Sequence, residues 1–189
     1  MIAAATRTLI LGAAILTAAG APALPATDEV VAEPQGYWQG PMNAKVPATL
    51  AGGLVIGTED LARLIRDESP VLIDVMPAQR KPPQPSTPWL PVPHKDIPGS
   101  IWIPGAGSGV ISAAMASYFH DRLAELTNHN FDKPVVFYCR PDCWASWNAA
   151  KRAIADGYRR VCWYPGGVEA WQEAGLATEV ASAEGPAVQ

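Results

Sequence analysis

Two cysteines, Cys139 and Cys143, are the residues of this 189-residue chain whose types and spacing best suit chemistry. In the run FYCRPDCWASWNAAKRA, the apolar residues 135–138 lead into Cys139, and a helical pattern is established from Asn148. This pattern predicts a thiol at a strand-to-helix turn, where the helix dipole and free backbone N–H groups favour the thiolate. The pair is therefore predicted to supply a nucleophile, and the competing interpretation is two buried, inert thiols.

The composition of the chain narrows the classes of function. Charged residues make up 17% of the sequence and the formal net charge is −4, so the chain lacks the basic surface of a nucleic-acid-binding protein. The length suits one domain with a sizeable core. Many of the 19 prolines fall between residues 81 and 98, which predicts one extended, irregular excursion that includes Trp89.

The N-terminus has the features of a secretory signal. Arg7 is the only charged residue before Asp28, and Ala-Pro-Ala at residues 21–23 offers a cleavage site after an apolar stretch. We expect residues 1–26 to be removed on export to the periplasm, so that this segment is the only part to meet a membrane; an uncleaved anchor is the alternative. In an oxidising compartment the two close cysteines can pair without a special mechanism.

Strand and helix patterns alternate along the rest of the chain. Thr58 is a predicted N-cap. The pattern predicts strands at residues 54–56, 71–75, 101–103, 135–138 and 161–164, and helices at residues 59–67, 117–128, 145–156 and 168–174.

This alternation predicts a single α/β domain with a mostly parallel central sheet flanked by helices. We place the domain at residues 54–178, between an N-terminal arm at residues 27–53 and a C-terminal tail at residues 179–189. Ligands bind such sheets at the carboxyl ends of the strands, which is where Cys139 falls.

Several other residues are predicted to be structural. Cys162 stands in an apolar strand and is expected to be a buried, inert thiol. Asp74 ends a buried strand, where an acid is more often a hydrogen-bond acceptor than a catalyst. Three tryptophans are expected in the core, namely Trp147, Trp163 and Trp171, whereas Trp144 is expected near the mouth of the site.

Five segments, in order along the chain, resemble the rhodanese family. They are VLIDV, HKDIPGSIWIP, VVFYCR, WNAAKRAIADGYRRVCWYPGG and GGVEAWQEAGL, and they span roughly residues 55–178. The resemblance implies a rhodanese-like fold and a sulfurtransferase activity. In that family a cysteine opens a six-residue loop, accepts a sulfane sulfur as a persulfide and passes it to a nucleophile. Carried over, Cys139 is the sulfur acceptor, and its substrate is a small sulfur donor or thiol.

The loop residues after Cys139 depart from the family pattern. Arg140, Asp142 and Trp144 are the substrate-binding candidates, but Asp142 and Trp144 stand where rhodaneses often have glycine and arginine. Loss of the arginine removes a cation for an anionic donor, and Asp142 opposes the thiolate, so thiosulfate is a poor candidate donor. Cys143 could resolve a persulfide or sulfenic acid on Cys139 as a disulfide.

A closer resemblance is carried by the Cys-x-x-x-Cys-Trp run, by Trp-Asn-Ala-Ala-Lys-Arg at residues 147–152 and by Gly-Tyr-Trp at residues 36–38. These motifs are similar to an exported rhodanese-like family that is named for its paired-cysteine-tryptophan motif and associated with pyrroloquinoline-quinone-dependent catabolism. The resemblance implies a periplasmic role beside a quinoprotein alcohol dehydrogenase or a cytochrome. It implies no cofactor of the chain's own.

Two alternatives belong to other classes of protein. The two cysteines with His94, His120 or His129 would form a soft ligand set for copper. Against this, the surroundings of His94 match the structural turn of rhodaneses, and the other two histidines are expected at the surface. The second alternative is a non-catalytic binding module, with Trp144 beside the loop as part of a docking surface for a partner.

Overall fold

The computed structural model describes residues 30–79 and 90–186. The predicted signal at residues 1–26 lies outside this part of the chain, as does most of the proline-rich excursion with Trp89. Within the two described stretches, none of the helices has the length and apolar character needed to cross a membrane.

The fold is a parallel sheet with helices on both faces. In chain order its elements are β1 (Leu54–Val55), α1 (Thr58–Glu68), β2 (Val71–Asp74), β3 (Lys95–Asp96), β4 (Ser100–Trp102), α2 (Ala113–Leu126), β5 (Val135–Tyr138), α3 (Trp144–Ala155), β6 (Val161–Tyr164), α4 (Gly167–Glu173) and β7 (Glu179–Val180). Five parallel strands pair in the order β1-β6-β5-β2-β4, and β3 pairs with β7 in a separate antiparallel ribbon.

Two cores form, one on each face of the sheet. Helices α2 and α3 pack on one face through residues such as Phe119 and Trp147, and α1 and α4 pack on the other through Leu61 and Trp171. Every residue of β5 and β6 is buried, as expected of short apolar runs in a parallel sheet covered on both sides. The predicted α/β class with a mostly parallel sheet is confirmed.

The first residues of three helices differ from the prediction. The N-cap of α1 is Gly57, so the prediction of Thr58 as the cap is wrong; its hydroxyl instead lies 2.7 Å from that of Tyr164. Ser112 caps α2, which begins four residues before the predicted start. Helix α3 begins at Trp144, so its N-cap is Cys143.

Residues after the predicted domain end take part in the fold. Strand β7 pairs with β3, and the backbone N–H of Glu184 donates to the carbonyl of Trp102 at 2.8 Å. The carboxylate of Glu184 also accepts a hydrogen bond from Arg122 of α2 at 2.8 Å. The segment from residue 179 therefore holds the β3 ribbon against the sheet.

The residues predicted to be structural lie inside the domain. Trp147, Trp163 and Trp171 are buried, which confirms that part of the prediction. Cys162 is also buried, and burial raises the pKa of its thiol, as expected of an inert cysteine.

Candidate active site

The two cysteines meet where β5 passes into α3. Cys139 follows the last residue of β5, and Asp142 reverses the backbone with a φ of 52°, which brings Cys143 back to the start of the helix. The Sγ of Cys139 donates to the Sγ of Cys143 across 2.6 Å. The two side chains are 0% and 2% exposed. The short loop therefore holds the two sulfur atoms in contact and buries both side chains.

The environment of the pair makes Cys143 the more acidic thiol. The hydrogen bond from Cys139 lowers the pKa of Cys143 against the effect of burial, helped by the backbone N–H of Ala145 and the charge of Arg140. The same hydrogen bond, together with burial, raises the pKa of Cys139. The sequence places Cys139 next to the helix N-terminus. In the structure the N-cap residue of that helix is Cys143, and the thiol of Cys139 donates a hydrogen bond to the Cys143 sulfur.

The N-terminal arm, residues 30–53, crosses directly over this loop. The backbone N–H of Trp144 donates to Met42 at 2.9 Å, and that of Ala44 donates to Asp142 at 3.0 Å. Asn43 thereby forms an isolated antiparallel bridge with Cys143. Because these bonds involve the loop backbone itself, the arm closes the site and supplies partners for polar groups that the loop leaves free.

Tryptophan side chains fasten the arm in place. Trp38 stacks on Trp144 with ring centroids 4.3 Å apart, and Trp144 meets the edge of Trp147 at 5.4 Å. The amide of Asn148 accepts from the backbone N–H of Trp38 at 2.8 Å and donates to its carbonyl at 3.0 Å. Tyr37 also packs onto the domain, since Arg152 lies 4.1 Å above its ring.

The expectation that Trp144 lies near the mouth of the site is wrong. Its side chain is 0% exposed because the arm covers it, and Trp147 is equally buried. Neither ring can contribute to a docking surface while the arm is in place. Their role in the structure is to hold the arm over the two cysteines.

Helix α4 closes the loop from another side. The backbone N–H of Val168 donates to the carbonyl of Cys139 at 3.2 Å. A Cβ on Gly167 would lie 2.4 Å from the Cα of Arg140 and 2.6 Å from the carbonyl oxygen of Cys139, and the φ of Gly167 is +62°. Only glycine meets both demands, which explains the Gly-Gly turn before this helix.

An open cavity of about 440 Å³ lies outside the loop, and we call it the mouth cavity. Two predicted substrate-binding residues, Arg140 and Asp142, line it, and Arg140 donates to the side-chain oxygen of Asn43. Three residues with no predicted role complete the polar lining: Asn43, Lys45 and Glu169. No motif marks these residues, because the arm and α4 bring them together from distant parts of the sequence.

A second polar group lies at the same edge of the sheet. The Nε2 of His94 is 2.8 Å from a carboxylate oxygen of Asp74 and 2.8 Å from one of Asp96. Burial raises the pKa of Asp74 to about 7, although hydrogen bonds from His94 and the Met76 N–H oppose the rise. Burial also works against the charge of His94, but the two carboxylates outweigh it and raise its pKa to about 9. Asp96 received no role from the sequence.

In the part of the chain that the structure describes, no histidine or carboxylate joins the two thiols in a three-ligand group of the kind that copper binding needs. Among residues 30–79 and 90–186, the group of three close ligand side chains is Asp74, His94 and Asp96, and it contains no cysteine. His120 instead faces Asp156 at 3.5 Å and His129 is exposed, as the sequence predicts for surface histidines.

Several solved structures and one family model are similar to parts of this chain. The solved structures similar to this chain include a thiosulfate sulfurtransferase from Pseudomonas aeruginosa, at 20% identity over 74% of this chain and 22% of that one, with a TM-score of 0.46. A polysulfide-sulfur transferase homodimer from Wolinella succinogenes is 20% identical over 68% of this chain and 80% of that one, with a TM-score of 0.44. A 3-mercaptopyruvate sulfotransferase from Escherichia coli is 21% identical over 72% and 55%, with a TM-score of 0.47.

The match covers only 22% of the Pseudomonas chain, so this chain spans about a fifth of the length of that protein. No curated protein matches it. The model of the family described as "Rhodanese-like domain" matches residues 57–174, which is more than half of the chain and contains both cysteines of the loop. The protein therefore belongs to the rhodanese-like domain family.

Proposed function

We propose that the protein is an exported sulfur relay in which Cys139 and Cys143 take a sulfane sulfur from a small donor and release it at the expense of their own oxidation. The observation that carries the proposal is the 2.6 Å contact between the two sulfur atoms. A persulfide formed on either cysteine has a thiol beside it, so resolution by the second cysteine competes with transfer to an external acceptor.

The first step is attack of the Cys143 thiolate on the outer sulfur of a persulfide donor, RSSH. The donor S–S bond breaks, RS⁻ leaves, and Cys143 carries the persulfide –S–SH. The place of Cys143 at the start of α3, where the Ala145 N–H and the charge of Arg140 favour a thiolate, supports this assignment. The family resemblance favours Cys139 instead as the first acceptor, and the experiment below separates the two orders.

The second step returns the sulfur as hydrosulfide. The Sγ of Cys139 attacks the Sγ of Cys143, the new disulfide forms, and HS⁻ is expelled as the Cys139 proton passes to solvent or to the leaving sulfur. The dithiol loses two electrons, which the transferred sulfur gains. An external dithiol must then reduce the disulfide before the next turnover.

The mouth cavity supports a small donor of mixed charge. It presents Arg140 and Lys45 together with Asp142 and Glu169, so a dianion such as thiosulfate gains little from it. A persulfide of a thiol that carries both an ammonium and a carboxylate group fits this lining better.

The physiological setting belongs to the same proposal. The signal-like N-terminus supports export, and the paired-cysteine-tryptophan run supports a role in pyrroloquinoline-quinone-dependent catabolism beside a periplasmic dehydrogenase or cytochrome. A strain lacking the protein should grow poorly on an alcohol oxidised by a quinoprotein. A gene encoding Cys139→Ser should fail to restore growth; full rescue would favour a binding module over a relay.

Intact mass spectrometry after treatment with cysteine persulfide tests the chemistry. Wild-type protein should lose about 2 Da as the disulfide forms and should release sulfide. Cys139→Ser should instead gain about 32 Da as a persulfide trapped on Cys143. A trapped persulfide on Cys143→Ser alone would assign the first step to Cys139. Unchanged mass in all three proteins, without sulfide, would refute the relay.

A further inference from the structure

Asp74, His94 and Asp96 form a compact buried cluster that the proposed relay does not use. Asp74 is the last residue of β2, Asp96 lies in β3, and His94 precedes that strand. The two aspartate side chains are 0% exposed and that of His94 is 13% exposed. One oxygen from each aspartate and the Nε2 of His94 all lie within 4.8 Å of one another.

The cluster is short of hydrogen-bond donors. The Nε2 of His94 carries at most one hydrogen, yet it faces two carboxylates at 2.8 Å each. Asp74 has a second donor in the backbone N–H of Met76 at 2.6 Å. Once the imidazole hydrogen points to Asp74, neither side-chain oxygen of Asp96 has a hydrogen-bond partner among the described residues. A buried carboxylate in that state is costly unless a cation or proton compensates it.

Apart from Trp144 Nε1 and one carboxylate oxygen of Glu169, the other buried polar side chains among the described residues have hydrogen-bond partners. Asn148 uses both ends of its amide on Trp38 and also donates to Gly107 at 3.0 Å. Arg152 donates to three carbonyl oxygens of the loop at residues 106–109. Because such satisfaction is the rule for buried groups, the bare carboxylate of Asp96 points to a missing partner.

We propose that Asp74, His94 and Asp96 bind a divalent transition-metal ion, represented by Zn²⁺. One imidazole and two carboxylates are ligands that such an ion takes at about 2.0–2.2 Å. Ligands at that distance stand about 3.0–3.6 Å apart, so the two 2.8 Å contacts of His94 must widen slightly, and the two aspartate oxygens, which lie within 4.8 Å of each other, must take up the same spacing. As the ion binds, the Nε2–H proton leaves and the nitrogen lone pair replaces it.

The ligands are already held in place by the surrounding fold. The His94 ring stacks on Trp102 with centroids 3.8 Å apart, and the Trp102 indole donates to the Met76 carbonyl at 2.7 Å. Pairing of Asp96 with Glu179 fixes the β3 backbone. Such outer contacts orient metal ligands and reduce the cost of binding.

An ion can reach the cluster from one side. His94 lines a cavity of about 370 Å³, together with Met76 and Trp102. The imidazole edge therefore lies between this cavity and the two buried aspartates. A three-ligand ion at this place would keep a further coordination position for water or another small ligand.

Zinc titration of the Cys139→Ser/Cys143→Ser protein tests the site, because this variant removes the thiols that would otherwise compete for the metal. Calorimetry should show one Zn²⁺ bound per chain. Asp96→Asn and His94→Gln should each weaken binding by at least about 100-fold. The matched controls are Asp132→Asn and His120→Gln, whose side chains are largely exposed, and both should bind as the parent does.

Thermal unfolding with and without zinc guards against a variant that fails to fold. Zinc should raise the melting temperature of the parent and both controls, and should leave folded Asp96→Asn unchanged. Co²⁺ should give visible absorption typical of nitrogen and oxygen ligands and lack a thiolate charge-transfer band. The proposal is overturned if the Cys139→Ser/Cys143→Ser protein binds no zinc, or if Asp96→Asn in that background binds it as tightly as Asp132→Asn. The persulfide assay is independent of this result.

Discussion

The cysteine pair and the Asp74–His94–Asp96 cluster lie at the same edge of the sheet, but they differ in how their buried negative charges are compensated. Asp74 ends β2 opposite Tyr138, the residue before Cys139. A negative charge on Cys143 is met by the Cys139 thiol, a backbone N–H and Arg140. The two carboxylates share one imidazole hydrogen. One region is thus prepared to hold a negative charge, and the other sets two buried carboxylates against a single imidazolium.

The covering of the two regions differs as well. The arm, α3 and α4 close the thiols off through backbone hydrogen bonds that depend on the exact path of the loop. The acidic cluster is closed mainly by one aromatic stack and opens toward a cavity at His94. Access to the thiols therefore requires a movement of the chain, whereas access to the cluster requires only a shift of one ring.

Gly167→Ala should give the largest effect, because Gly167 packs directly against the backbone of the loop that carries the two cysteines. The added Cβ would meet the Arg140 Cα and the Cys139 carbonyl, and the positive φ adds strain. We expect a loss of about 3 kcal/mol or more in the free energy of unfolding, measured by urea denaturation. Gly175→Ala is the matched control: its φ is +73° with nothing within 4 Å of a Cβ, so it should cost about 1 kcal/mol. Equal losses would show that the contact is unimportant.

Trp38→Ala should open the thiol site without touching the cluster. Loss of the stack on Trp144 weakens the attachment of the arm. If the free energy of lifting the arm falls by about 1.4–2.8 kcal/mol, the population of molecules with exposed thiols rises 10- to 100-fold. The rate of iodoacetamide labelling of Cys143 at pH 7 should rise accordingly. Phe131→Ala is the control, since this ring packs on Tyr158 away from the arm. Unchanged labelling of Trp38→Ala would mean that the arm does not limit access.

Sequence reasoning works best where a pattern is local. The runs 135–138 and 161–164 are continuous apolar stretches, and both strands are found as predicted because a buried parallel strand needs no more than that. The cysteine pair is also visible locally, since the strand before Cys139 and the helix pattern after it fix the position of the loop.

The same reasoning fails where distant segments decide the environment. Trp144 is buried because the arm, about a hundred residues earlier, lies over it. Cys143 becomes the helix cap because Asp142 takes a positive φ, stabilised by the backbone of Ala44. Asp96 is buried because β3 pairs with a strand some 80 residues later. In each case the partner is distant in sequence, so the residues next to Trp144, Cys143 or Asp96 carry no pattern that would predict it.

The pH dependence of stability should separate the cluster from the thiols. In the folded chain the pKa of His94 is about 9 instead of 6.5, and that of Asp74 is about 7 instead of 3.8. The folded state therefore binds more protons than the unfolded state across this range, so stability falls as the pH rises. With the metal chelated, we expect a loss of up to about 4 kcal/mol between pH 6 and pH 9 in urea denaturation of the Cys139→Ser/Cys143→Ser protein. Asp96→Asn in that background should reduce the loss, and an identical dependence in both proteins would contradict it.

Glu68→Gln should give the smallest effect, because it removes an ion pair at the surface. The variant tests whether the pH dependence of stability comes from the buried cluster or from exposed charge pairs. Glu68 and Arg160 form an ion pair at 2.6 Å, but their side chains are 41% and 45% exposed. Water screens such a pair, so its removal should change the free energy of unfolding very little and leave the pH dependence between 6 and 9 unchanged. Urea denaturation at both pH values, beside Asp96→Asn, measures the difference. A pH effect in Glu68→Gln as large as in Asp96→Asn would locate the titrating groups at the surface instead of in the buried cluster.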